Sequence, residues 1–206
     1  MTKIIIVRHC QAEGNLKRFF QGSIDSDITE KGRAQIAAVS ELLAAEPIDI
    51  IYTTPLKRAK LTAGGINLYH EVPVKIDPRL SEIDAGEWEG RFLTDIEKEY
   101  PEQFYNWRNN SGIFHAPGGE SMLQVYERTG AAISDILKNE KGKTVCVVSH
   151  GCAIKTIMCR IQGLDISEID KVPIGTNVSL NVIIFDDDNK PEILMNNYSD
   201  HVMSIK

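Results

Sequence analysis

Two runs of uninterrupted apolar residues constrain this chain more than anything else in it: Ile4-Ile5-Ile6-Val7 and Val145-Cys146-Val147-Val148. A strand with one wet face alternates apolar and polar residues, whereas a strand apolar at every position is buried on both faces. Lys3–Arg8 and Thr144–Ser149 are therefore expected inside a sheet with helices on each side. Glu30–Ala45 reads as a helix, with Ile36, Val39 and Leu43 on one stripe and Thr29 as its N-cap. Ile48–Tyr52 and Val72–Ile76 read as further strands, separated by a helix entered at Pro55 and reaching about Tyr69. Ser121–Asn139 places Met122, Val125, Tyr126, Thr129, Ile133, Ile136 and Leu137 on one face, and Gly151 opens another helix ending near Ile161. Two last strands, Ser179–Phe185 and Glu192–Met195, flank Asp186–Lys190. The three aspartates there read as a solvated turn, because the further ligands of a calcium loop are missing. Strands alternating with helices predict an α/β sandwich with a mostly parallel central sheet.

At 206 residues the chain is expected to form one domain, 1–206, with an aromatic and charged excursion at about 88–120. Within that excursion Pro101 separates two short helices. The formal net charge of −6 has the wrong sign for a protein that wraps nucleic acid or lies on anionic lipid. No apolar run approaches the roughly 18 residues that span a bilayer. The start, Met1–Arg8, lacks the core and cleavage site of a signal peptide, so a cytoplasmic protein is expected. Cys10, Cys146, Cys152 and Cys159 form no CxxC pair, which suggests neither a zinc knuckle nor a disulfide framework. No metal or cofactor is expected. Exposed sheet edges leave room for a homodimer.

Ligands of open α/β sheets bind outside the carboxyl ends of the strands. Arg8 and His9 follow the first strand, Arg58 lies just past the second, Glu82 past the third, and His150 directly after Thr144–Ser149. Arginine's rigid fork suits phosphate oxygens, and the amides at Gly151 add partial positive charge at a helix start. These groups are expected to form an anion pocket with phosphate as its natural guest. There is no Walker loop, and no cysteine is followed six residues on by an arginine; Cys10 meets Arg18 only at the eighth. The nucleophile is then sought among the histidines, and His9, beside Arg8, is the better placed. An imidazole flanked by cations stays unprotonated near neutrality. Acid catalysis by Glu82 supplies about 10²–10⁴ in rate. Charge stabilisation by Arg8, Arg58 and His150 does what a divalent metal does elsewhere. Neighbours on a strand point to opposite faces, so Arg8 or His9 must lie beyond the regular strand for both to reach one phosphate.

The strings around these residues resemble the histidine phosphatase superfamily, the cofactor-dependent phosphoglycerate mutase-like proteins, over essentially the whole chain. Arg8-His9-Cys10-Gln11-Ala12-Glu13-Gly14-Asn15 resembles the family signature, and Gln21-Gly22 its Gln-Gly loop. Thr53–Ala63 resembles the segment of the second arginine, and Leu80–Gly90 that of the proton donor. Pro117-Gly118-Gly119-Glu120-Ser121 and Val148-Ser149-His150-Gly151 resemble two later landmarks, in the right order. The resemblance implies a three-layer α/β/α sandwich, a phosphohistidine at His9, and Glu82 as proton donor and then base. Arg8, Arg58, His150 and Asn15 would hold the phosphoryl group, with Gln21 and Gly22 bordering the substrate, a small phosphorylated metabolite. Cys10 replaces a glycine and Ala12 a hydroxyl residue; Cys10 is expected to be a small inert side chain, the alternative being a thiol acidified by nearby positive charge and so oxidisable. Glu82 is followed by Ile83 and not by the arginine of true mutases, which favours a metal-independent phosphomonoesterase. The alternatives are a phosphoglycerate mutase or other phosphotransferase, and a phosphate-binding regulatory module without turnover.

Overall fold

The computed structural model describes residues 1–205. Its sheet contains β1 (Thr2–Arg8), β2 (Ile50–Thr53), β3 (Val74–Ile76), β4 (Thr144–Ser149), β5 (Leu180–Phe185) and β6 (Pro191–Tyr198), in the order β3-β2-β4-β1-β5-β6. The first four strands run parallel, while β5 is antiparallel to β1 and β6 antiparallel to β5. Ile4, Ile5, Ile6 and Val7 are all fully buried, as an unbroken apolar strand requires. Burying each such side chain contributes about 1.5–3 kcal/mol. Ile4, Ile6, Ile50, Tyr52, Val145 and Val147 face one layer, formed with α6 (Met122–Asn139) and α7 (Gly151–Ile161). Ile5, Val7, Ile51, Cys146 and Val148 face the other, with α2 (Glu30–Leu43) and α3 (Lys57–Asn67). The result is the expected three-layer α/β/α sandwich, with parallel pairing on one side of β1 and antiparallel on the other.

The boundaries move where side chains compete with the ladder. β2 begins at Ile50 and not Ile48, because Asp49 exchanges its amide and carboxylate with Thr144 (2.9 and 2.8 Å). β3 loses Val72, whose amide and carbonyl are taken by the Asn67 side chain, and α3 stops at that same asparagine. Pro55 precedes α3, which opens at Lys57. α2 ends at Leu43, two residues short of Ala45, while β6 continues past Met195 to Tyr198 by pairing with Leu180. A short α1 (Glu13–Lys17), whose start is held by the Asn15 side chain accepting the Ala12 amide, carries no apolar stripe and was not expected. Asp186–Lys190 is a turn in which the Asp186 carboxylate accepts the Asp188 and Lys190 amides.

The excursion holds α4 (Leu93–Glu99) and α5 (Pro101–Asn109), with Pro101 in the first turn of α5. Trp88 is fully buried, with the rings of Phe20, Tyr100, Phe104, Trp107 and Phe114 centred 5.0–6.3 Å away. Trp88, Tyr100, Phe104 and Phe114 are packing, whereas Phe92 and Tyr105 are more than half exposed. Among the described residues no helix is long and apolar enough to cross a membrane.

Candidate active site

Strand register brings the two histidines together. Parallel pairing sets Arg8 opposite Ser149, so the next residues, His9 and His150, leave the sheet side by side. The His9 amide donates to Ser149 O (2.9 Å), and the two rings lie 5.0 Å apart. Arg8 is the last residue of β1 and His9 the first beyond it, which frees the pair from strand alternation. His9 Nδ1 lies 2.6 Å from the Cys10 carbonyl, a group that only accepts, so Nδ1 carries the proton and Nε2 keeps its lone pair. Asn177 Nδ2 donates to His9 O (2.9 Å) and holds the backbone from the other side.

His150 is fully buried. Thr54 Oγ1 accepts the Leu56 amide (3.3 Å) and shares a hydrogen bond with His150 Nε2 (2.9 Å). Nδ1 of the same ring has no partner within the protein.

Arg58, in the first turn of α3, is 1% exposed, and its Nη atoms donate to Ile24 O and Gly22 O (2.8 Å each). Arg8 Nη1 donates to Gly175 O (2.5 Å), and the Nε of both arginines is buried without a protein partner. Glu82 receives the Cys152 amide on its two oxygens (3.1 and 3.2 Å) and the Ile83 amide (3.0 Å). Gly151, which opens α7, lies between: a Cβ there would stand 3.5 Å from Glu82 Oε2 and 3.6 Å from Arg8 Cζ.

Burial pushes His9 well below the usual imidazole range, with Arg58 and Arg8 adding to the effect. His150 is lowered well below it by the same burial, then by Arg58, His9 and Arg8. Both imidazoles are neutral at physiological pH, beside two guanidinium groups that stay charged although burial lowers their pKa.

Arg8, His9, Asn15, Gln21, Gly22, Arg58 and Glu82 all line one cavity of about 260 Å³; the buried His150 is not in that lining, and its ring is centred 5.0 Å from that of His9. Asn15 Oδ1 accepts the Ala12 amide (3.0 Å). Gln21 is held by Ser26 (2.7 Å). Gly22, at φ +49°, turns its carbonyl onto Arg58, and a Cβ there would run into the Glu89 carboxylate.

Cys10 follows the inert reading and not the acidified one. It is fully buried, its amide is bonded to Thr62 Oγ1 (3.0 Å), and burial raises its thiol pKa in spite of Arg58. It is therefore a packed, inert thiol. The Cys152 amide, expected with those at Gly151 and beyond to face the anion, is taken by Glu82 instead. Thr54, Gly175 and Asn177 were not foreseen. The first stands in the Thr53-Thr54-Pro55 string, a readable polar signal, whereas Gly175 and Asn177 come from a patternless loop before β5.

The arrangement offers an unprotonated ring nitrogen beside convergent cationic donors and a carboxyl group, which is equipment for transferring a phosphoryl group. The sequence model of the histidine phosphatase superfamily (branch 1) matches residues 4–198. "Phosphoserine phosphatase 1" of Hydrogenobacter thermophilus is 35% identical over 168 residues, 82% of this chain and 80% of that protein. "Probable phosphoglycerate mutase GpmB" of Salmonella choleraesuis is 34% identical over 167 residues, 80% of this chain and 76% of that one. Among solved structures, Bacillus stearothermophilus YhfR superposes with a TM-score of 0.93 at 28% identity, covering 98% of this chain and 100% of its own. The match spans both the sheet and every strand-end residue gathered here, and this chain belongs to the histidine phosphatase superfamily.

Proposed function

We propose that this protein hydrolyses a small phosphorylated metabolite through a phosphohistidine at His9. The observation that carries the reading is the hydrogen bond from His9 Nδ1 to the Cys10 carbonyl, which leaves Nε2 nucleophilic among cations. His9 Nε2 attacks phosphorus in line with the ester bond. As that P–O bond breaks, Glu82 protonates the departing alkoxide. Water then gives its proton to the Glu82 carboxylate and attacks the phosphohistidine. The P–N bond breaks, and its electron pair returns to Nε2. Arg8, Arg58, Asn15 and His150 hold the phosphoryl oxygens throughout, and Gln21 and Gly22 border the leaving group. Two buried guanidinium groups supply the charge stabilisation for which other phosphatases use a divalent ion, so the reaction is read as metal-independent.

The phosphatase names of its relatives support hydrolysis, and phosphoserine heads the substrates to assay. A phosphoglycerate mutase activity is the second reading, favoured by the mutase-named relative. Ile83, where true mutases carry an arginine beside the acid, is fully buried, which favours hydrolysis. Leu93 and Trp107 line the cavity, which supports reading the excursion as a cap on a single domain. The four free, buried thiols are consistent with a cytoplasmic setting.

Hydrolysis of an aryl phosphate is expected to survive EDTA. A quench should trap an acid-labile, base-stable phosphoprotein, and His9→Ala should lose both the label and at least about 1,000-fold in rate. Unchanged turnover in His9→Ala overturns the reading. Isomerisation of 3-phosphoglycerate with a bisphosphate primer, without net hydrolysis, selects the mutase.

A further inference from the structure

The segment that carries Glu82 belongs to neither sheet nor helix. β3 ends at Ile76, a single 3₁₀ turn covers Pro78–Leu80, and residues 81–85 are irregular. No backbone ladder fixes this segment, and the carboxyl group meets the Cys152 and Ile83 amides only where the segment's own path brings it to them. Yet the carbonyls of four successive residues, 79 to 82, each accept a hydrogen bond from a side chain elsewhere in the fold. Ser149 Oγ, at the end of β4, takes Leu80 O (2.7 Å). Arg128, on α6, takes the other three: Nη1 donates to Arg79 O and Ser81 O (2.8 Å each), and Nη2 to Glu82 O (3.0 Å).

The same guanidinium is itself held. Its Nε and Nη2 donate to the two Glu120 carboxylate oxygens (2.8 Å each). Glu120 Oε2 in turn accepts the Asp84 amide (3.0 Å), and the Glu120 amide donates to Asp84 O (2.8 Å). Arg128 and Glu120 therefore grip the chain on both sides of Glu82, at residues 79, 81 and 82 and again at 84. The Arg128 side chain is 20% exposed, so these bonds are largely shielded from competing water.

We propose that Arg128, backed by Glu120, is the positioning residue for Glu82. It holds the backbone so that the carboxyl group faces the leaving oxygen, without touching substrate itself. Resting on the phosphomonoesterase reading, this assigns to α6 a part in the proton transfer. A general acid displaced by about 1 Å loses much of its effect, and that loss falls on leaving groups that need the proton. Lysine cannot replace Arg128, since an ammonium lacks the fork that spans three carbonyls and a carboxylate.

The test compares kcat/KM, which reports transfer to His9, for p-nitrophenyl phosphate and for an alkyl phosphate. Arg128→Met and Arg128→Lys are expected to lose about 30–300-fold on the alkyl ester but less than about 5-fold on the aryl ester. Arg128→Met combined with Glu82→Gln should be no slower on the alkyl ester than Glu82→Gln alone, since both remove one proton transfer. Equal losses on the two esters, or losses that multiply in the double variant, would show a merely structural arginine and overturn the proposal. Should Arg128→Met melt below the assay temperature, Glu120→Gln, which loosens the same clamp, is expected to show the same selective loss. Absence of any aryl phosphatase activity in the unsubstituted protein would instead sink the hydrolase reading, a distinguishable failure.

Discussion

Protonating His9 would place a third positive charge beside Arg8 and Arg58 in a site shielded from water, and the same holds for His150. Because a protonated His9 has no lone pair on Nε2, a low pKa keeps the nucleophile competent in mild acid. The kcat/KM for an aryl phosphate, corrected for ionisation of the substrate, should therefore not decline between about pH 7 and 5.5. A decline with a midpoint near the ordinary imidazole value would show that His9 titrates freely and that the cationic surroundings do not act on it. At this scale the sequence was informative for residues that stand next to a strand's end and for the neutrality of His9 beside Arg8, although burial, which adds most to that neutrality, is a tertiary property. His9 was legible because it follows an unbroken strand; its tautomer was not, because the Cys10 carbonyl that sets it is a backbone group common to every residue type.

Elements serve the site by gripping the loops between them. The first turn of α2 does so at Gln11, two residues past His9. The Thr29 amide donates to Gln11 O (3.1 Å), and Gln35 Oε1 accepts the Gln11 amide (2.8 Å). Gly32 lets the helix come this close, for a Cβ there would overlap Gln11 O. Gly32→Ala gains about 1 kcal/mol from helix propensity. Against that stands overpacking of about 1–3 kcal/mol, on a backbone atom that cannot rotate away. The contact should win: urea melts are expected to show net destabilisation, with kcat/KM reduced as the His9 loop shifts. Net stabilisation at full activity would mean that α2 and the loop move apart freely. Long helices such as Ser121–Asn139 were readable because burial repeats at their period; α1 was not, because it is held by Asn15 and lacks a stripe.

For the whole molecule, the two depressed imidazoles make folding depend on pH. In the folded protein they bind no proton where the unfolded chain, with an ordinary pKa near 6.5, binds two. Their stability is fully present above that value and is lost as pH falls below it, by up to about 1.4 kcal/mol per pH unit for each group. The melting temperature should thus fall steadily below about pH 6.5, and less steeply in His150→Asn, which has one such group fewer. A melting temperature flat from pH 7 to 5 would show that neither imidazole is held neutral. The sequence by itself determined the layers, because burial on both faces is written into Ile4–Val7 and Val145–Val148. It also determined which reactive side chains stand at strand ends. Tertiary structure alone decided what they face: register set His9 against His150, and Thr54, Asn177 and Arg128 found their partners across 46 to 168 residues of chain. The physical reason is that periodicity is a local property, whereas a hydrogen bond to a distant backbone carbonyl leaves no mark on the residue that accepts it.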